Sequence, residues 1–140
     1  MLYGPDGGLL IGVDLAKDTG TLEAAYNDSQ GVTAAFNLNL LQRINSELHA
    51  DFDLEAFHHQ AVYNQPQGRI EMYLVSQRAQ EVHINGNTFA FSQGERILTE
   101  YSHKYELSAF ADLVTRAGFE VKHVWTDPQN YFSVQYLVPA

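Results

Sequence analysis

The sequence predicts an α/β fold, one that reads as α+β when these 140 residues are taken as a fragment, and three observations carry the prediction. Residues 9–15 (LLIGVDL) are a continuous apolar run bounded by glycines and closed by Asp14, the pattern of a strand buried on both faces in a parallel sheet. Residues 32–48 repeat their apolar positions at helical spacing. The chain then closes as helix, strand, strand, with Gly118 after the helix and Asp127-Pro128 between the strands.

Taken in order, Gly4-Pro5-Asp6-Gly7-Gly8 is a turn signal that feeds the first strand. After the Thr19-Gly20 break, residues 21–28 form a short helix. In the longer helix at 32–48, Val32, Ala35, Phe36, Leu40, Leu41, Ile44 and Leu48 make one stripe, the face expected to meet the core. Asp51-Phe52-Asp53 is placed to cap another short helix through residues 56–59. The period then changes to two: in residues 69–75 (RIEMYLV), Ile70, Met72 and Leu74 alternate with Glu71, Tyr73 and Val75. Residues 81–84 and 87–91 read as a hairpin joined at Asn85-Gly86, a dipeptide that accepts the positive φ angles of a tight turn. Residues 97–101 add a further strand or a strand-to-loop segment. Leu107, Phe110, Ala111, Val114 and Ala117 space an amphipathic helix, residues 119–125 follow as a strand, and residues 131–138 return antiparallel to it.

A length of 140 residues suits one domain, yet a doubly wound sheet needs βα units ahead of residue 9. The expectation is therefore the C-terminal part of a larger α/β protein, or a chain whose sheet a partner completes. Eight Lys+Arg against 17 Asp+Glu, a net charge of −9, argue against nucleic acid or an anionic membrane as partner. The absence of cysteine removes disulfides, thiolate metal sites and thiol catalysis. No apolar run approaches the length of a membrane span, and no basic-then-apolar leader opens the sequence, so the cytoplasm is the expected compartment.

Of the six histidines only His58 and His59 are adjacent, and neighbouring side chains diverge on a helix or a strand, so no metal is expected. The densest polar patch is residues 99–105 (TEYSHKY). In an extended chain Glu100, Ser102 and Lys104 share one face, with Thr99, Tyr101, His103 and Tyr105 on the other. A carboxylate and a hydroxyl two residues apart can jointly read a planar ring offering N–H and N positions; a solvated edge strand explains the same pattern. Asp14, at the carboxyl end of its strand, stands where ligands sit in open sheets, or serves a helix cap or turn. Tyr26 either presents its hydroxyl to an anionic group near a helix N-terminus or is a core-edge residue. With no G-x-S-x-G, G-x-G-x-x-G or P-loop, the chain offers no nucleophile elbow and no phosphate cradle, and no residue is assigned a catalytic or cofactor-binding role.

Residues 22–48 (LEAAYNDSQGVTAAFNLNLLQRINSEL), Asp51-Phe52-Asp53, Arg69-Ile70-Glu71-Met72 and residues 99–104 (TEYSHK) together resemble the histidine-specific, S-adenosylmethionine-dependent methyltransferases. These are ergothioneine-pathway enzymes that trimethylate the α-amino group of L-histidine to hercynine. The likeness runs from Leu9 to Leu137. It implies a class I, Rossmann-like sheet carrying a mixed α+β substrate-recognition insertion. On that pattern residues 1–19 are a late strand of the sheet, 20–108 the insertion, and 109–140 the closing helix and β-hairpin. The family's glycine-rich loop, acidic ribose-binding residue and amine-holding asparagine have no counterpart here. The implied cofactor, S-adenosylmethionine, is thus bound mainly outside the chain, which alone is expected to be inactive.

Carried across motif by motif, Glu100 resembles the carboxylate that accepts a hydrogen bond from the substrate imidazole, with Ser102 assisting on the ring. Met72 resembles the residue packed against that ring, Tyr26 the tyrosine that holds the amino-acid head group, and Thr33 falls near the same site. A buried carboxylate and hydroxyl reward a ring with N–H groups and penalise one without. The implied reaction is displacement at a sulfonium methyl carbon by a neutral α-amine, in which alignment supplies roughly 7–11 kcal/mol. Two other readings are a stand-alone, non-catalytic module binding a small amino acid or partner protein, and a domain that self-associates through an exposed sheet edge.

Overall fold

The structure, a computed structural model, describes residues 7–140; Gly4, Pro5 and Asp6 of the expected opening turn lie outside them. In chain order the elements are β1 (Leu9–Asp14), α1 (Thr19–Tyr26), α2 (Val32–Leu48), β2 (Phe57–Asn64), β3 (Arg69–Ser76), β4 (Gln80–Ile84), β5 (Asn87–Phe91), β6 (Arg96–His103), α3 (Leu107–Arg116), β7 (Phe119–Thr126) and β8 (Phe132–Pro139). The chain is mixed α and β, with antiparallel pairing of β1 with β8, β7 with β8, β2 with β3 and β4 with β5. It divides into two compact units: Thr19–Ser102, and the described residues up to Asp18 with His103–Ala140. A length suited to one domain does not yield one core, because the buried side chains gather in separate clusters that each unit closes for itself.

In the terminal unit the strands run β1-β8-β7. Val13, Leu15 and Leu137 form a core with Phe110 and Val114 of α3, and Leu9, Ile11, Phe119 and Val121 pack against it. Among the described residues β1 has an antiparallel partner and no parallel strand beside it. β1 pairs antiparallel with β8 from Leu9↔Leu137 to Asp14↔Phe132, and Leu10, on the alternate face, is 64% exposed. A period-two strand with one packed face sends every second side chain away from the core, however apolar the run. Two polar residues of β8 take core positions: the Ser133 hydroxyl donates to the Val13 carbonyl at 3.3 Å, and Gln135 Nε2 donates to Ser133 Oγ at 3.1 Å.

The central unit holds the sheet β2-β3-β6, the β4–β5 hairpin, α1 and α2. Asn85 and Gly86 have φ of 47° and 81°, the turn their dipeptide predicts. The helix expected through residues 56–59 is instead a 3-10 turn at Leu54–Ala56, capped by Asp53, followed directly by β2. β2 pairs with β3 from Phe57↔Ser76 to Asn64↔Arg69, and that ladder outweighs the weak local preference of a short segment. Helix α2 occupies its expected span; Leu41 and Ile44 of the expected stripe face the core with Leu38, and Asn37 and Asn45 join them on the inward side. Val32 and Phe36 are each 65% exposed and Leu40 39%. The helix is turned by its two asparagines: Asn37 bonds His59 and the Tyr73 carbonyl, and Asn45 bonds the Phe52 backbone in both directions. Among the described residues no helix is long and apolar enough to cross a membrane.

Candidate functional site

The junction between α1 and α2 is built by the side chains of Tyr26-Asn27-Asp28. Asn27 exchanges two hydrogen bonds with the Ala61 backbone of β2, both at 2.9 Å, which pins the end of α1 to the sheet. Asp28 accepts the N–H groups of Val32 and Thr33, both at 2.9 Å, and so caps α2. These backbone donors hold its carboxyl below the ordinary aspartate range. Gly31, at φ 71°, makes the left-handed step that brings α2 under the cap. Asp28→Ala is expected to lower the urea midpoint followed by circular dichroism, and Asp28→Asn to lower it much less. Equal stability of the alanine variant and the parent would show that the cap contributes nothing.

In Arg69-Ile70-Glu71-Met72, period two separates two tasks. Ile70 and Met72 are buried, and form a cluster with Leu22 and Ala61 against which Tyr26 packs. On the opposite face Arg69 bonds Glu71 at 2.8 Å and lies 3.6 Å over the Tyr101 ring of β6. Glu71 also accepts from the Tyr73 hydroxyl and from Asn64. The Tyr73 bond, then those from Arg69 and Asn64, hold the Glu71 carboxyl below its ordinary range. This network clasps β6 and so sets the positions of its neighbouring residues Glu100 and Ser102.

A cavity of about 190 Å³ opens within the central unit, lined by Phe36, Asn37, Asn39, Leu40 and Arg43 of α2, Met72 of β3, and Thr99 and Glu100 of β6. The Thr99 hydroxyl donates to the Met72 carbonyl at 3.1 Å. Glu100 is exposed, not the buried carboxylate expected, and makes no hydrogen bond or ion pair with another described residue. It lies at the cavity wall, where an alternating strand presents a side chain that its sheet does not cover. Tyr26 Oη and Ser102 Oγ are hydrogen-bonded at 2.8 Å. The structure thus gathers Met72 with Glu100 at the cavity and Tyr26 with Ser102 beside the Met72 cluster. Thr33 sits in the first turn of α2 with its N–H on Asp28, outside the cavity lining.

Lys104 and Asp14 belong to the terminal unit and do something else. Lys104 lies past the end of β6, so it does not share a strand face with Glu100 and Ser102. Its side chain is fully buried, with the ammonium 2.8 Å from Asp14, which also pairs with Lys17 at 2.6 Å. Burial alone pushes the Asp14 carboxyl up; the bonds and charges of Lys104 and Lys17 outweigh it and leave a value below the ordinary range. Tyr105 N–H donates to the Asp14 carbonyl and Ala16 N–H to the Tyr105 carbonyl, continuing β1 into a short parallel bridge. Asp14 is therefore tied to Lys104 and Lys17 and orients the segment that follows β6.

Sequence reasoning missed Asn37 and His59. His59 bridges the Tyr26 carbonyl, 2.8 Å from Nε2, and the Asn37 amide, 2.9 Å from Nδ1. The available signal was an asparagine at a position four residues before the core residue Leu41. Among the described residues no group of three or more His, Asp or Glu side chains gathers as metal ligands do.

A family model described as histidine-specific methyltransferase, SAM-dependent, matches residues 1–139. The chain is 45% identical over 136 residues to a histidine N-alpha-methyltransferase of Mycolicibacterium smegmatis, covering 96% of the chain and 42% of that relative. It is 42% identical over 132 residues to the histidine N-alpha-methyltransferase of Mycobacterium tuberculosis, covering 93% of the chain and 41% of that relative. It is 30% identical over 133 residues to ergothioneine biosynthesis protein 1 of Neurospora crassa, covering 93% of the chain and 15% of that relative. The chain spans less than half the length of each of these curated relatives.

Proposed function

The chain belongs to the histidine-specific, SAM-dependent methyltransferases, and from that premise we propose that it is the substrate-binding part of a longer enzyme that methylates the α-amino group of L-histidine. The observation that carries this reading is the cavity in which Glu100, unpaired with any described residue, stands beside the Met72 thioether and the Phe36 ring. An open carboxylate beside a thioether and an aromatic ring suits a flat, basic ring bearing N–H groups. Glu100 accepts from the imidazole and Met72 pads its face; Ser102 and Tyr26, hydrogen-bonded to each other, hold the polar parts of the amino acid. Thr33 acts at one remove, through the turn that Asp28 caps.

In this reading residues 1–19 and 109–140 belong to the C-terminal part of a Rossmann-like sheet, and residues 20–108 are its substrate-recognition insertion. The described residues do not fit a methyl-donor site. Among the described residues β1, β8 and β7 pair antiparallel, and no glycine-rich turn joins one of these strands to a helix. S-adenosylmethionine is accordingly held by the remainder of the longer protein.

The test is methyl transfer to L-histidine by the whole polypeptide, with L-phenylalanine as control, alongside calorimetric titration of L-histidine into the 140-residue chain. The whole polypeptide is expected to transfer to histidine and not to phenylalanine, and the short chain to bind histidine without transfer. The accepting amine must be neutral, so the rate should climb between about pH 7 and pH 9. Equal use of both amino acids by the whole polypeptide would overturn the reading.

A further inference from the structure

We propose that His59 is a positioning residue for the substrate's amino-acid head group: by donating to the Tyr26 carbonyl it sets the end of α1, and so the place of the Tyr26 hydroxyl. The inference rests on the reading that Tyr26 holds that head group, and it adds the residue through which the tyrosine is placed.

Helix α1 has eight residues and ends at Tyr26. So short a helix is marginal by itself, and the carbonyls of its last turn have no donor within the helix. Strand β2 holds this end at two alternate positions, His59 and Ala61. At Ala61 the backbone meets the Asn27 side chain in both directions. At His59 the ring Nε2 lies 2.8 Å from the Tyr26 carbonyl oxygen. That bond falls on the peptide plane that leaves Tyr26, which the Asn27 side chain does not touch. The phenol extends from the same Cα, so a small rotation there is magnified at its hydroxyl, now 2.8 Å from Ser102 Oγ. Misplacement of a substrate-holding group by about 1 Å can cost on the order of 100-fold in rate.

His59 is itself held in the form this task needs. The Tyr26 carbonyl only accepts, so Nε2 carries the ring proton. In the neutral ring Nδ1 is then an acceptor, and it faces Asn37 Nδ2 at 2.9 Å. The same amide nitrogen donates to the Tyr73 carbonyl at 3.1 Å, which fixes the end of the amide that meets the ring. Asn37 is 3% exposed, so water does not compete for these bonds. The bonds thus run from Tyr73 of β3 through Asn37 of α2 and His59 of β2 to the end of α1, each donor meeting an acceptor. A side chain locked in this way is what holds a binding group within a fraction of an ångström.

The experiment is calorimetric binding of L-histidine to the whole polypeptide, in the parent and in His59→Asn, His59→Gln, Tyr26→Phe and the combination of His59→Asn with Tyr26→Phe. Glutamine keeps an N–H where Nε2 stood, whereas asparagine reaches only the Nδ1 position and meets Asn37 but not Tyr26. His59→Asn is expected to weaken binding about tenfold, the scale of one hydrogen bond to a substrate, and His59→Gln to keep most of the parent affinity. In the Tyr26→Phe background His59→Asn should cost almost nothing more, because the hydroxyl that it places is gone; a histidine that only supports the fold would cost the same in both backgrounds. Equal losses in the two backgrounds, or a glutamine variant as weak as the asparagine one, overturn the inference. In the parent, nitrogen NMR of the His59 ring in mildly alkaline buffer should show the proton on Nε2, and a proton on Nδ1 overturns the inference even if no variant folds. Unchanged affinity in Tyr26→Phe removes Tyr26 from the site and the inference with it. Failure of the parent to bind L-histidine overturns the histidine reading itself.

Discussion

Asp14→Asn is expected to destabilise the terminal unit by about 3 kcal/mol, the low end of the range for removing one partner of a buried ion pair. The Lys104 side chain is completely buried, and without Asp14 its ammonium loses the carboxylate 2.8 Å away. Lys104→Met should cost clearly less, because Asp14 keeps Lys17 at 2.6 Å and its own side chain is 27% exposed to water. Urea denaturation followed by the fluorescence of Trp125, the only tryptophan and a residue of β7, reports on this unit. Equal losses in the two variants would mean that the pair is not an asymmetric burden on the lysine. The pH dependence follows from the lowered carboxyl. The unfolded chain binds the proton first, so the contribution is present above the ordinary aspartate value of about 3.9 and is lost as pH falls through the lower folded value. Acid denaturation below about pH 4 should therefore be shallower in Asp14→Asn than in the parent.

Glu100→Ala is expected to act on recognition and leave stability almost untouched. The side chain makes no bond within the described chain, so its removal leaves no buried group unpaired, and the unfolding midpoint should move by no more than about 0.5 kcal/mol. Selectivity for histidine over an aromatic amino acid without ring N–H groups should fall by roughly 1.5–3 kcal/mol, the worth of a charged hydrogen bond. The measurement is the ratio of kcat/KM for the two amino acids in the whole polypeptide. An unchanged ratio would remove Glu100 from the site. Met72 gives the contrasting case: it is both cavity wall and core, packed with Leu22, Ala61 and Ile70, so its truncation mixes lost binding with lost stability.

The elements that could be read from the residues are those with strong local causes. The α2 span was legible from its spacing, the hairpin from Asn85-Gly86, and the last helix and two strands from Gly118 and the Asp127 turn. The Asp127 carboxylate accepts the N–H groups of Gln129, Tyr131 and Phe132, so that turn is stabilised by residues adjacent in sequence. β2 was illegible because a segment with histidines and a glutamine becomes a strand only when β3 supplies its ladder. The asparagine positions on the inward face of α2 were illegible for a similar reason. Two asparagines win the core side over Val32 and Phe36 because partners 22 residues or more away in His59 and Tyr73, and seven away in Phe52, satisfy them.

By itself the sequence determined the family and the residues that its motifs mark, Tyr26, Thr33, Met72, Glu100 and Ser102, together with the elements those residues sit on. Only the tertiary structure decided what surrounds them. It put Met72 and Glu100 on one cavity and Tyr26 against Ser102, gave Lys104 to Asp14, and drew Asn37 inward onto His59. The physical reason is range. Turns, caps and periodicity are satisfied within a few residues, whereas a buried amide, ammonium or imidazole is stable only where distant backbone and side chains meet its hydrogen-bonding groups.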